Sequence, residues 1–147
     1  MTPISEEIYK QYQKNYAVYP GDLVTLSRAT TNRLVLIPET APQCIANINI
    51  IVMRPNSNFI VPTYLYLLLT SKYGKALFSS LEKGTSLKSI SIKELKQLPI
   101  KVISITKQYE IAKQYNRIKT KYIKAYEEYR NNLEECYSAL HDDDLHN

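Results

Sequence analysis

The chain has 147 residues, enough for one compact domain and one further element outside its core. Its hydrophobic fraction of 44% and charged fraction of 22% are those of a folded protein, which excludes wholesale disorder and a fibrous repeat. No apolar run reaches the roughly 18–20 residues that cross a bilayer. The first residues lack the basic and apolar regions of a secretory signal, so we expect a cytoplasmic protein without a membrane partner.

The net charge of +5 is distributed unevenly along the chain. Residues 1–105 carry 12 Lys and Arg against 6 Asp and Glu, whereas residues 106–147 carry 7 against 8. A basic surplus confined to the first part suits a surface that faces phosphates, because neutralising phosphates releases counterions. A surplus that serves solubility alone is the alternative, and charge by itself does not separate the two.

Sequence features that support chemistry are missing. Cys44 and Cys136 lie far apart in different kinds of segment, which argues against a disulfide framework and a zinc site, so we expect two inert thiols. The sequence has no glycine-rich nucleotide loop, no Asn-Pro-Pro-aromatic methyltransferase motif and no clustered Cys and His. We therefore expect no cofactor, no metal and no catalytic residues.

A short helix and a turn are predicted at the N-terminus. Ser5 can cap a helix whose first turn carries Glu6 and Glu7 at the positive end of the helix dipole. The run Tyr-Pro-Gly-Asp at 19–22 then predicts a turn, because Pro fixes φ and Gly permits a positive φ.

Three strands are predicted after this turn, at residues 23–26, 33–37 and 44–53, all rich in β-branched or apolar residues. In the third, Ile48 and Ile50 alternate with asparagines, as in a half-buried strand.

The rest of the first part mixes helix and strand. Leucines at helical spacing predict a helix over residues 63–81 with a kink at Gly74. A short extended piece at 90–92, one helical turn at 93–96 and a last strand at 98–102 follow. This order predicts an α+β fold, with a small mixed α/β domain over residues 1–105.

A long helix is predicted over residues 106–140, because apolar residues recur there at heptad spacing with one stutter and no Gly or Pro intervenes. At 1.5 Å per residue it is roughly 50 Å long. An isolated apolar stripe needs a partner, so we expect a coiled coil, isologous if the protein is a homodimer. A helix packed on its own domain is the alternative, and residues 141–147 are expected to form a disordered tail. The stripe comprises Ile111, Tyr115, Ile118, Tyr122, Ala125, Tyr129, Leu133, Cys136 and Leu140.

Three stretches in this order resemble the specificity subunits of type I restriction–modification systems. The run Pro-Gly-Asp-Leu-Val at 20–24, with Ser-Arg at 27–28, is similar to the stretch before an early strand of that family. Residues 47–71 resemble its strand followed by a leucine-rich helix. Gly84-Thr85-Ser86, the later Leu-Pro-Ile at 98–100 and then Gln108 resemble the stretch that leads into its spacer helix. The likeness covers roughly residues 15–135.

The resemblance implies a target-recognition domain, a long C-terminal coiled-coil spacer helix and no chemistry of its own. Members of that family read half of a split double-stranded DNA target, and spacer helices set the distance between the halves and hold methyltransferase and restriction subunits. A full subunit has two recognition domains and two such helices, whereas this chain shows one of each. We therefore expect a half-subunit that pairs through its helix with a second copy or a second specificity chain.

Loop residues of the basic part are the candidates for DNA contact. Arg and Asn side chains can make paired hydrogen bonds to base edges, and short hydroxyls beside Gly let the backbone approach phosphate. Each candidate is alternatively a solvated charge or a turn hydroxyl, and Gly21 and Gly84 are expected to serve backbone geometry. The candidates are Arg28, Asn32, Arg33, Lys83, Thr85, Ser86 and Lys88.

Two rival functions come from other classes. Asp22 with Glu94-Leu95-Lys96 superficially fits the acidic residue and Glu-x-Lys arrangement that binds a divalent metal in restriction nucleases. The spacing is long, and Glu94 is expected beside a helical turn rather than on a strand. The other rival is a coiled-coil interaction protein with no DNA role, which would not bind random duplex even at low ionic strength.

Overall fold

The computed structural model describes residues 16–29, 34–84 and 88–144. The chain forms two compact units, Met1–Tyr109 and Glu110–Asn147. Among the described residues, no helix combines the length and apolarity needed to cross a membrane. The predicted N-terminal helix that begins at Ser5 lies outside the described residues.

Short antiparallel strands build the sheet portion of the first unit. In the described residues the strands are β1 (Ala17–Val18), β2 (Leu23–Leu26), β3 (Arg28–Ala29), β4 (Val35–Leu36), β5 (Cys44–Ile45), β6 (Ile50–Met53) and β7 (Lys88–Ser89). β1 pairs with β5, β2 lies between β4 and β6, and β3 pairs with β7.

The core surrounds the central strand β2. Leu23, Val24 and Thr25 are buried in succession, so both faces of this strand are covered. Val24 of this strand belongs to a buried apolar cluster with Val18, Ile37, Cys44 and Ala46. Cys44 is a free thiol whose pKa is raised by burial, and Cys136 is free and exposed. The strand predicted at 23–26 is confirmed.

The turn before β2 is fixed by an ion pair between buried Asp22 and the partly exposed Arg54. Gly21 has φ +84°, which only glycine adopts without strain, and the Asp22 N–H donates to the Tyr19 carbonyl at 3.0 Å. Arg54 donates to both Asp22 carboxylate oxygens at 2.8 Å, and its guanidinium lies 4.5 Å from the centre of the Tyr19 ring. Asp22 is therefore a structural anchor that holds the start of β2 to the end of β6.

The single strand predicted at 44–53 is wrong in its middle. The chain forms β5 and β6 with a tight turn between them, closed by a bond from the Ile50 N–H to the Asn47 carbonyl at 3.0 Å. The Asn47 side chain accepts from the Asn49 N–H at 2.9 Å, an asparagine turn that competes with strand pairing. Ile48 at its tip is 88% exposed rather than half-buried.

The helix predicted over residues 63–81 is two helices, α1 (Pro62–Thr70) and α2 (Lys72–Leu81). The break falls at Ser71, whose side chain caps α2 by accepting from the Gly74 N–H at 3.1 Å. Gly74 is not the kink. It is buried, and a Cβ there would overlap the backbone of Leu68 and Leu69, so glycine is needed for close approach.

Residues 98–104 form neither helix nor strand, contrary to the strand predicted at 98–102. Their carbonyls accept from side chains instead of a neighbouring strand: Tyr73 Oη donates to Pro99 at 3.3 Å and Tyr64 Oη to Lys101 at 2.8 Å. Pro99 also lacks the N–H that a ladder needs. Just upstream, the helical turn predicted at 93–96 is confirmed as α3 (Ile92–Leu95), and the extended piece predicted at 90–92 lies earlier, in β7.

Gln108 is the polar hub of the first unit and has no solvent exposure. Its Nε2 donates to the Phe59 carbonyl at 3.1 Å and to the Ile103 carbonyl at 2.8 Å. Its Oε1 accepts at 2.8 Å from the N–H of Val61, the N-cap residue of α1. The Val61 side chain itself makes no capping hydrogen bond. The side-chain amide of Gln108 thus binds three backbone groups, those of Phe59, Val61 and Ile103.

The predicted long helix is confirmed as α4 (Ile105–Asp144), which continues past Leu140 into the segment expected to be disordered. On the predicted stripe, four large apolar side chains are 59% to 69% exposed, namely Ile118, Tyr122, Tyr129 and Leu140. Tyr122 and Tyr126 stack on each other with ring centres 6.4 Å apart.

Replacing Gln108 tests the hub. Gln108→Leu should lower the free energy of unfolding by about 1–3 kcal/mol, because three buried backbone groups lose their partner. Gln108→Glu should cost more at neutral pH, since a carboxylate cannot donate to the Phe59 and Ile103 carbonyls, and should recover partly on acidification as the carboxyl gains a proton. Chemical denaturation at several pH values measures both.

The control is Gln114→Leu, an exposed glutamine on α4, which should change stability by less than about 0.5 kcal/mol. Equal stability losses for the two leucine variants would contradict the role assigned to Gln108.

Candidate nucleic-acid interface

A groove forms where strands β3 and β7 pair. Arg28 lies opposite Ser89, and Ala29 lies opposite Lys88. Lys83 is bridged to the same Ser89 by two backbone bonds, Lys83 N–H to Ser89 carbonyl at 3.0 Å and the reverse at 2.9 Å. This pairing brings basic residues from two distant parts of the chain to one edge of the fold.

The groove encloses about 350 Å³ and is open to solvent. Its walls combine two cations, several hydroxyls and one carboxylate, a mixture that can contact phosphates and base edges together. The lining residues are Ser27, Arg28, Lys83, Ser89, Ile90, Ser91 and Glu94.

An ion pair crosses this groove. Lys83 Nζ lies 2.6 Å from Glu94 Oε1, with the lysine side chain 75% exposed and that of Glu94 26% exposed. The other carboxylate oxygen, Oε2, accepts from Ser91 Oγ at 2.7 Å, and Ser91 Oγ accepts from the Glu94 N–H at 3.2 Å. Ser91 and Glu94 thereby form the capping box that starts α3.

These contacts keep Glu94 ionised. The hydrogen bond from Lys83 is the main cause that lowers the Glu94 pKa from 4.5 to about 2, and the bond from Ser91 contributes next. Because the pKa is depressed, the interaction is present at neutral pH and is lost only as the pH falls through that lowered value.

The predicted contact residues fall into two groups. The structure brings Arg28 and Lys83 together at the groove and places the Lys88 backbone in its β7 edge. Four others, Asn32, Arg33, Thr85 and Ser86, lie outside the described residues. The contact role of all seven stays a prediction.

Sequence reasoning missed the participation of Ser91 and Glu94 in this site. The spacing Ser-x-x-Glu at 91–94 is the pattern of a capping box and was the available signal. No local sequence pattern identifies Lys83 as the partner of the Glu94 carboxylate. Lys83 lies near Glu94 because of the Lys83–Ser89 bridge beside the β3–β7 pairing.

The acids of the nuclease alternative have other roles. Asp22 lines a different groove, with Tyr19, Arg54 and Pro62, and its two oxygens accept from Arg54. Glu94 is held by Lys83 and Ser91. Within the described part of the chain, no group of three or more His, Cys, Asp or Glu side chains is arranged to hold a metal ion.

Comparison with known families gives an assignment. A family model described as the type I restriction modification DNA specificity domain matches residues 2–135. The chain belongs to this family, whose members are non-catalytic subunits that recognise DNA sequence in type I restriction–modification systems. Membership implies DNA binding and association with the methyltransferase and restriction subunits of such a system. No match was found among the curated proteins.

The groove ion pair can be tested without DNA. Lys83→Gln should raise the titration midpoint of the Glu94 carboxyl from about 2 toward its ordinary value of 4.5, because the largest cause of the lowering is gone. Carbon-detected NMR of the glutamate carboxyls against pH measures the midpoint. Ser91→Ala should raise it less, and an unchanged midpoint in Lys83→Gln would show that the pair does not form in solution.

Proposed function

We propose that the chain reads one half of a split duplex target through the groove between β3 and β7, with residues 1–105 as the recognition domain. Arg28 and Lys83 contact DNA from the groove itself. The further proposed contacts are close in sequence to β3 and β7, namely Asn32, Arg33, Thr85, Ser86 and Lys88.

The observation that carries this proposal is the convergence of Arg28 and Lys83. They are far apart in sequence and lie on one groove, because β3 pairs with β7 and Lys83 bridges to Ser89. The part of the chain that holds this groove also carries the whole basic surplus, 12 cations against 6 acids over residues 1–105. Electrostatic attraction would bring duplex to this part of the protein, and the polar groove edge would read bases.

We further propose that α4 pairs with the α4 of a second copy and acts as the spacer between two half-sites, over residues 106–140. The support is the row of exposed apolar side chains at heptad spacing, among them Ile118, Tyr122 and Tyr129. Large apolar groups in such a row are stabilised when a facing helix covers them. A second, different specificity chain is the alternative partner.

The role in the assembled system follows from these two parts. A paired spacer would fix the distance between two recognition domains and present a surface for methyltransferase and restriction subunits. The chain would thereby decide where those subunits act, while all bond-making and bond-breaking belongs to them.

DNA contact by the groove predicts a change in salt dependence. Arg28→Gln should weaken binding to random-sequence duplex and reduce the slope of log affinity against log salt concentration by about 0.9, the share of one phosphate contact. Fluorescence anisotropy over a salt series measures both quantities in the full chain.

Lys75→Gln provides the matched control, an exposed lysine on α2 that does not line the groove. It should leave the slope within error of the wild-type value. If Arg28→Gln behaves like this control, DNA does not bind at the groove.

Helix pairing predicts a change in mass. Ile118→Glu should convert the dimer to monomer in sedimentation experiments, because two carboxylates would be placed in an apolar seam. Thr120→Glu introduces the same charge on the opposite face of α4 and should leave the dimer intact. A wild-type protein that is monomeric alone and pairs only with a second specificity chain would support the alternative partner.

A further inference from the structure

The Lys83–Glu94 ion pair has a consequence for DNA affinity. A lysine that is paired with a carboxylate attracts phosphate less strongly, since its compact ammonium group carries a single charge that the carboxylate already offsets. Lys83 Nζ already lies 2.6 Å from Glu94 Oε1. Carboxylate and phosphate therefore compete for the same cation.

The carboxylate is also held in place within the groove. Ser91 Oγ donates to Glu94 Oε2 at 2.7 Å, and Glu94 belongs to the first turn of α3. Glu94 is consequently held beside the groove by a bond that does not involve Lys83, and when Lys83 leaves it would face an approaching phosphate as an ionised group. Like charges brought together in this way oppose binding.

Base edges differ from phosphates in this respect. In the major groove the amino group of cytosine is a hydrogen-bond donor that glutamate accepts from, whereas phosphate oxygens only accept. A duplex that presents such a donor beside the groove replaces the bond that Glu94 loses. A duplex without it leaves Glu94 unsatisfied.

We propose that Glu94 is a specificity-determining residue. On unrelated duplex its carboxylate keeps Lys83 from the phosphates. On the target a cytosine amino group replaces the lysine as the partner of the carboxylate, and Lys83 is released. This inference rests on the proposed DNA-binding function of the groove. Glu94, an acidic residue in a basic surface, thereby weakens binding to unrelated sequences.

The variant that tests it is Glu94→Gln, which keeps the capping box because glutamine also serves at that position. Binding of the full chain to random-sequence duplex should tighten about two- to fivefold at low salt, the range of an exposed ion pair. Its salt slope should steepen by about 0.9, because Lys83 gains a phosphate. Glu39→Gln, an exposed acid outside the groove with the same charge change, should not steepen the slope.

The double variant Lys83→Gln with Glu94→Gln separates the mechanism from a general charge effect. It should bind random duplex no tighter than wild type, because the gain acts through the lysine and the two substitutions remove one charge of each sign. If the gain over wild type persists without Lys83, or if Glu94→Gln alone binds no tighter than wild type, the inference is overturned. Failure of the groove itself would instead show as an unchanged affinity in Arg28→Gln.

Sequence selection on randomised duplex gives a second readout. Wild-type protein should enrich sequences with a fixed cytosine, and Glu94→Gln should relax the preference at that one position while the others persist. An identical set of enriched sequences for both proteins would contradict base reading by Glu94.

Discussion

The arrangement of the first unit depends on one buried amide. Gln108 satisfies the N–H of Val61 at the start of α1 and two carbonyls, those of Phe59 and Ile103, without any contact with water. An apolar side chain at this position would leave all three backbone groups without a hydrogen-bond partner, and a carboxylate could not donate to the two carbonyls. The first turn of α4 is therefore tied to the loop before α1 by hydrogen-bond demand as well as by packing.

Polar contacts also determine the arrangement of the groove. Lys83 and Glu94 belong to segments that precede and follow β7, and their ion pair closes over the strand edge where Arg28 is paired. A solvent-exposed pair of this kind adds little to stability. Its larger effect is on the electrostatic potential that approaching DNA meets, because the Glu94 carboxylate offsets one of the two groove cations, Arg28 and Lys83.

Long-range pairing marks the limit of what the sequence could predict. The α+β class, strand β2, the turn with Gly21 and the long helix follow from local patterns and are confirmed. The strand predicted at 98–102 is wrong because the carbonyls of Pro99 and Lys101 bond to tyrosine hydroxyls from distant positions. The family resemblance was already visible in residues such as Gln108, and the family comparison confirms it. The β3–β7 contact that assembles the groove has no local signal.

Two backbone hydrogen bonds join Lys83 to Ser89. Because backbone groups make both bonds, side chains between these two residues can change while the bonds persist. A lineage could acquire a new target by exchanging a few residues there while inheriting the scaffold unchanged.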